Sequence, residues 1–325
     1  MTKTFLTALL FVVLISCKQS VNKEKKDTTT TKKETHVAFY GNYVDNNYDK
    51  RAEGLDWVAV SVKPNNNKSV LISVRSRADQ KKPTCTFDTK AYKKNETDYV
   101  STYNGKKIIF HFDKENITIS SEKEEDLSFL NFFCNGGATI AGTYKKIDKT
   151  LDTLQIDLTT FSKVLNLQGI GFNISSIKKN NKNTLSIFTF GLEKQNYNES
   201  FNIENEIIID AEVEDLDSDN SPELLIYTQS LNDKKHGNVY AFSVNNKKSM
   251  SKVSFVPVTK NNNVNNDYNG NDEFSVIENS LVQRFPVYQT TENKTFLTDK
   301  TRQISYKLVK GEALKKLVIN EITEF

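Results

Sequence analysis

KIIFHFDKENITIS, residues 107–120, decides the fold class. Side chains of an extended chain alternate between two faces, so Ile108, Phe110 and Phe112 fall on one of them. Asp113 to Asn116 form a short polar reversal, and Ile117 and Ile119 resume the alternation in a second strand. Two apolar stripes joined by a polar turn read as an antiparallel hairpin with one face against a core. Working outward, SVLISVRSR (69–77) carries a like stripe at Val70, Ile72 and Val74. The region opens with FYGNYV (39–44) and closes with GGATIAGTYKKI (136–147), strands of similar character that are expected to pair and close a small barrel over residues 37–148. Gly136 and Gly137, beside Cys134, predict a bend. Arg75, Arg77 and Asp79 could bind a ligand, but an exposed strand face explains them as well or better.

The amino terminus suggests a compartment. Lys3 precedes an apolar run, Phe5 to Ile15, which is too short to span a bilayer and has the form of a signal peptide over residues 1–16. Leu14-Ile15-Ser16-Cys17 resembles a bacterial lipobox, which implies acylation of Cys17. Lys18 follows the cysteine where a retention signal would place aspartate, so the expected location is the outer membrane, on its periplasmic face or at the cell surface. Past Cys17, residues 18–36 contain one apolar side chain, Val21, so 17–36 reads as the lipidated cysteine and a disordered tether reaching about 25 Å. With Cys17 lipidated, Cys85 and Cys134 remain as a pair in an oxidising compartment, and a disulfide between them is expected.

After a connector at 149–153 the second domain runs over 154–325. NEIIIDAEVEDLDSDNSPELLIYTQS (205–230) predicts a hairpin with its turn at Asp217 to Pro222, with Ile207, Ile209, Ala211 and Val213 on one face. Further strands are expected at 239–244, 273–277, 281–288, 303–309 and 317–322, with a short helix possible over Leu158 to Val164. The fold class is therefore all-β: a small antiparallel barrel with one disulfide, then a β-sandwich.

Composition excludes several functions. A formal net charge of +3, from 44 Lys+Arg against 41 Asp+Glu, is too small to argue for nucleic acid. The three histidines, His36, His111 and His236, are scattered through tether, first domain and second domain, which disfavours a shared metal site. No phosphate loop, nucleophile elbow or zincin motif occurs, so neither an enzyme nor a cofactor is expected. Asp215, Asp217 and Asp219 have the one-three-five spacing of a calcium loop, but Asn220 and Ile226 stand where an EF-hand needs glycine and glutamate. They are a weak cation candidate, and a turn capped by aspartate side chains accounts for them better.

One loop is more charged than a hairpin requires: Ser230 to Gly237, SLNDKKHG, between two runs of β alternation. From Leu154 onward the chain resembles the PliI family, the inhibitors of invertebrate-type lysozyme. The stretches LNLQGIGFNISSI (165–177), AEVEDLDSDNSPELLIYTQS (211–230), GNVYAFSVNNKKSMS (237–251), GNDEFSVIENSLVQRFPVY (270–288) and TRQISYKLVKGEA (301–313) carry the resemblance in order, and the fourth is the most specific. What it implies is a β-sandwich whose protruding loop enters the lysozyme cleft near the catalytic carboxylates, through a motif like Ser-Gly-x-Tyr. Aligned on Gly237, the matching positions here are Asp233, Lys234, Lys235 and His236. Cationic donors in that place can make charge-assisted bonds to carboxylates, at a desolvation cost. The second domain, with 19 Lys/Arg against 22 Asp/Glu, is slightly acidic and would steer toward basic partners. The expected function is a lipid-anchored, non-catalytic lysozyme inhibitor acting through Ser230, Asp233, Lys234, Lys235, His236 and Gly237. The alternative is a non-inhibitory glycan- or protein-binding lipoprotein on the same fold.

Overall fold

The computed structural model describes residues 39–179, 182–291 and 294–325. The signal peptide, Cys17 and the tether with His36 lie outside the described residues.

Eight strands close the barrel: β1 (Gly41–Val44), β2 (Val58–Asn66), β3 (Ser69–Ser76), β4 (Thr86–Lys93), β5 (Asp98–Tyr103), β6 (Lys106–Phe112), β7 (Asn116–Ser121) and β8 (Gly142–Ile147). The expected closure is present, with Tyr43 of β1 opposite Lys146 of β8. The hairpin that began the reading is β6–β7, where Phe110 faces Ile119 and Phe112 faces Ile117. Its turn is held by Asp113, whose Oδ1 accepts the backbone N–H groups of Glu115 (2.9 Å) and Asn116 (2.7 Å). Asn104 and Gly105 join β5 to β6 with φ of 49° and 75°, the left-handed pair of a type I′ turn. The inward stripe, with Val70, Ile72, Val74, Ile108, Phe110 and Phe112 among it, is one buried cluster. Each such side chain contributes about 1.5–3 kcal/mol when fully removed from water. Cys85 and Cys134 form the expected disulfide, and Gly136 and Gly137 make the adjoining bend at positive φ.

Twelve further strands form three antiparallel four-stranded sheets. The first contains β9 (Thr159–Leu167), β10 (Ile170–Lys179), β11 (Lys182–Phe190) and β12 (Asn198–Ile203). The second contains β13 (Glu206–Glu214), β14 (Glu223–Ser230), β15 (Gly237–Asn245) and β16 (Ser249–Val253), and the third β17 (Glu273–Ile277), β18 (Ser280–Thr291), β19 (Lys294–Val309) and β20 (Lys316–Glu324). The second sheet is the middle layer. Leu224 and Ile226 pack with Phe172, Ile174, Leu185 and Ile187 of the first sheet. Leu225 and Tyr227, on the opposite face, pack with Phe274, Leu281, Ile304 and Tyr306 of the third. That explains why β14 carries an unbroken apolar run rather than an alternation, since a strand covered on both faces has no polar side.

Three expectations need correction. Leu158 to Val164 is not helical: β9 starts at Thr159 and pairs with β10 throughout. Its Thr, Phe and Val residues favour a pleated surface, and a seven-residue helix lacks the length to sustain itself. In β13 a bulge between Ile208 and Asp210 breaks the alternation, so Ile208 joins Ala211 in the core. Arg75 and Arg77 are buried rather than exposed, at 6% and 5% of their free surface. Arg75 pairs with Asp88 at 2.6 Å and donates from Nε to the carbonyl of Thr159, also at 2.6 Å. Asp88 in turn accepts the backbone N–H of Ser162 (2.7 Å), so these two side chains stitch the barrel to β9. Residues 38–325 accordingly form one compact unit. Among the described residues no helix is long and apolar enough to cross a membrane.

Candidate functional site

The charged loop joins β14 to β15, and two side chains fix its base. Ser230 Oγ accepts the backbone N–H of His236 (2.8 Å) and donates to Asn232 Oδ1 (2.8 Å). Asn232 accepts the N–H of Lys235 at both its backbone carbonyl (3.0 Å) and its side chain (3.1 Å). Lys235 takes a φ of 49°, the left-handed conformation that reverses the chain.

A second loop, ahead of β17, braces the first. Asn271 donates its N–H to the carbonyls of Lys234 and Lys235, each at 3.2 Å. Asp272 accepts the N–H of Gly237 at 2.6 Å, and also accepts from Tyr268 Oη and Gln283 Nε2. Burial pushes the Asp272 carboxyl up, against the pull of these three donors. Gly270, at φ +84°, passes so close that a β-carbon would lie 1.7 Å from the Lys234 carbonyl oxygen. Close approach and positive φ both require glycine there.

This scaffold divides the six residues expected to act together. Gly237 is buried in the brace. His236 is half-buried and stacked on Tyr268, ring centroids 5.4 Å apart. Burial, and then the charge of Lys234, push its imidazole below the ordinary histidine value, so it is neutral at pH 7 and serves as a packing piece rather than a cation. Ser230 is committed to the turn. Asp233, Lys234 and Lys235 are exposed, and among the described residues none of the three has an ion-pair partner. The loop therefore presents a short charged tip, Asp-Lys-Lys, on a backbone held from beneath. The bracing residues Tyr268, Gly270 and Asp272 escape a reading of the loop alone. Asp272 lies 35 residues from the glycine it binds, too far along the chain for the loop's own sequence to announce it.

The acidic turn between β13 and β14 is organised differently. Asp215 is spent on the backbone: its Oδ1 accepts the N–H of Asp219 and its Oδ2 that of Asn220, both at 2.9 Å. That is the aspartate-capped turn expected. One oxygen each of Asp215, Asp217 and Glu223 lie within 4.8 Å of one another. The positive charge among these acids comes from the chain itself: Lys315 Nζ lies 2.8 Å from Asp217, 3.0 Å from Asp219 and 3.4 Å from Glu223. Glu223 is fully buried, and burial raises its carboxyl to about 7, although Ser243, the Leu216 N–H and Lys315 pull the other way. Burial would lower the Lys315 ammonium, but its bonds to Asp217 and Asp219 and the Glu223 charge together raise it.

Elsewhere His111 is exposed and pairs with Asp98 at 2.7 Å. Arg77 forms a forked pair with Asp79, at 2.6 and 2.9 Å, while its Nη1 donates to the carbonyls of Arg51 and Leu55, so both residues are structural. No known protein-family model matches this sequence, and no curated protein matches it either.

Proposed function

We propose that this chain is a non-catalytic, lipid-anchored envelope protein that binds and blocks a lysozyme, of the invertebrate type first. The observation that carries the reading is the braced tip at Asp233 to Lys235, with two exposed ammonium groups that have no ion-pair partner among the described residues. A muramidase groove is acidic where it acts, and an ammonium entering it can make charge-assisted bonds to the carboxylates there. The stiff loop limits the ordering cost of association, because the backbone is already in one conformation. Asp233 opposes this attraction, and the two neighbouring lysines outnumber it. Ser230, His236 and Gly237 act as posts for the tip, Cys17 supplies the lipid, and the sandwich resembling the PliI family supplies the platform. No cofactor and no nucleic acid takes part.

The test measures peptidoglycan hydrolysis by invertebrate-type, chicken-type and goose-type lysozymes with added protein. The K234A/K235A variant should weaken inhibition at least about tenfold while leaving the unfolding midpoint unchanged, since exposed side chains contribute little to stability. If none of the three enzymes is inhibited, and calorimetry detects no complex, the proposal is wrong.

A further inference from the structure

A polar cleft of about 530 Å³ opens between the barrel hairpin at residues 65–68 and the start of β17 and β18. It continues into a narrower recess of about 150 Å³, and Asn65, Asn66, Gln229, Asp272, Glu273 and Arg284 line both. We propose that this cleft binds a carboxylate-bearing sugar, with Arg284 receiving the carboxylate and Gln229 and Asn65 receiving ring substituents. The inference stands apart from lysozyme inhibition, since neither Lys234 nor Lys235 lines the cleft.

Most of the lining groups already have partners within the chain. Asp272 is consumed by its three donors, as described. Glu273 holds the two walls together through Asn66, whose Nδ2 donates to its Oε1 at 2.5 Å. Arg284 is half-buried and anchored at one point, Nε donating to Gln303 Oε1 at 2.7 Å. Its two terminal nitrogens have no hydrogen-bond partner, and no carboxylate lies within 4.0 Å of them, among the described residues. Asp272 is thus committed to structure and Glu273, opposite Arg284 in the ladder, engages one oxygen, while the guanidinium keeps a free fork, the shape that fits a carboxylate with two parallel bonds.

The remaining free groups select the ligand class. The Gln229 side chain is half-buried with no protein partner among the described residues, and Asn65 uses only its Nδ2, on Ser69 Oγ at 2.9 Å. Each side-chain amide can both donate and accept. A ligand that answers both functions carries hydroxyl or acetamido groups, whereas a phosphate offers acceptors alone. Phe325, 67% exposed at the rim, adds an apolar face of ring size. The volume suits one or two sugar rings.

Two envelope sources share this chemistry: the lactyl carboxylate of N-acetylmuramic acid, and the C6 carboxylate of a uronic acid. The experiment titrates the full chain by calorimetry with an N-acetylmuramic acid disaccharide, with digalacturonate and with neutral N,N′-diacetylchitobiose. At least one carboxylated disaccharide should bind about tenfold or more tightly than the neutral one. R284Q should remove that difference and R284K restore part of it. Because R284Q also loses the Gln303 bond, Gln229→Ala serves as the second variant; it should weaken binding about threefold with an unchanged unfolding midpoint. The proposal is overturned if no probe binds, if chitobiose binds equally well, if R284Q binds like the parent, or if inorganic phosphate or an oligoglutamate competes as effectively as the sugar.

Discussion

Lys315 is the internal cation of the acidic turn, and replacing it with methionine tests that role quantitatively. The side chain is 15% exposed and reaches three carboxylates, of which Glu223 has no exposed surface and cannot exchange the ammonium for water. Breaking a buried ion pair by removing one partner costs about 3–5 kcal/mol. Asp217 and Asp219 keep some solvent contact, at 22% and 39% exposure, which brings the expected loss to about 2–3 kcal/mol at pH 8. In a unit of this size that lowers the thermal midpoint by about 3–5 °C.

The pH dependence follows from Glu223, whose carboxyl is held at about 7 in the folded chain against 4.5 ordinarily. A raised acid binds its proton more tightly when folded, so its contribution is most favourable below 4.5 and is lost as pH climbs through 7. Without the ammonium the carboxyl rises further, and keeping it ionised becomes costlier still. The deficit of K315M should therefore widen from pH 5.5 to pH 8, and narrow at the acid end, where Glu223 is neutral in both proteins. Urea unfolding of parent and variant at the two pH values measures it directly. A deficit equal at both, or below about 0.5 kcal/mol at pH 8, would show that Lys315 does not neutralise the buried carboxylate.

Other perturbations reach the rest of the molecule. C85S/C134S opens a loop of sequence separation 49 and should lower stability by about 4 kcal/mol in urea, and reductant should do the same to the parent; no change in midpoint would contradict the crosslink's role. R75M strands Asp88, a carboxyl that burial already raises to about 6, and should cost about 3 kcal/mol, while R75M/D88L regains at least half; a double variant no better than the single would refute the uncompensated-charge account. G270A forces a methyl into the Lys234 carbonyl and should cost about 2 kcal/mol. Amide exchange should quicken at Lys235 to Gly237 and lysozyme inhibition fall with both lysines intact, whereas unaltered exchange at Gly237 would mean the brace does not set the loop.

Much of the fold was legible because period-two alternation is a local property. The β6–β7 hairpin could be read from fourteen residues, 107–120, because its apolar positions and its Asp113 turn all lie within them. The disulfide was expected once Cys17 was set aside as the lipid-bearing residue, which left Cys85 and Cys134 as a pair. What escaped depends on partners far along the chain. Arg75 looked like a surface residue because its acceptor on Thr159 lies 84 residues away. The acidic turn looked open to a metal ion because the lysine that neutralises it comes from 96 residues beyond Asp219. The bulge at Ile209 carries no glycine or proline to announce it. At the loop, charge and position were visible, but the demotion of His236 from cation to packing piece required Tyr268.

Barrel closure has a mechanical side. β1 is only four residues long, yet it is paired with β2 on one flank and β8 on the other. A pull arriving through the preceding segment therefore meets resistance from two neighbours at once, where an edge strand would simply peel. On the proposed N-terminal anchoring, drag on the body would be borne by the seam that completes the cylinder, at the shortest strand of the barrel.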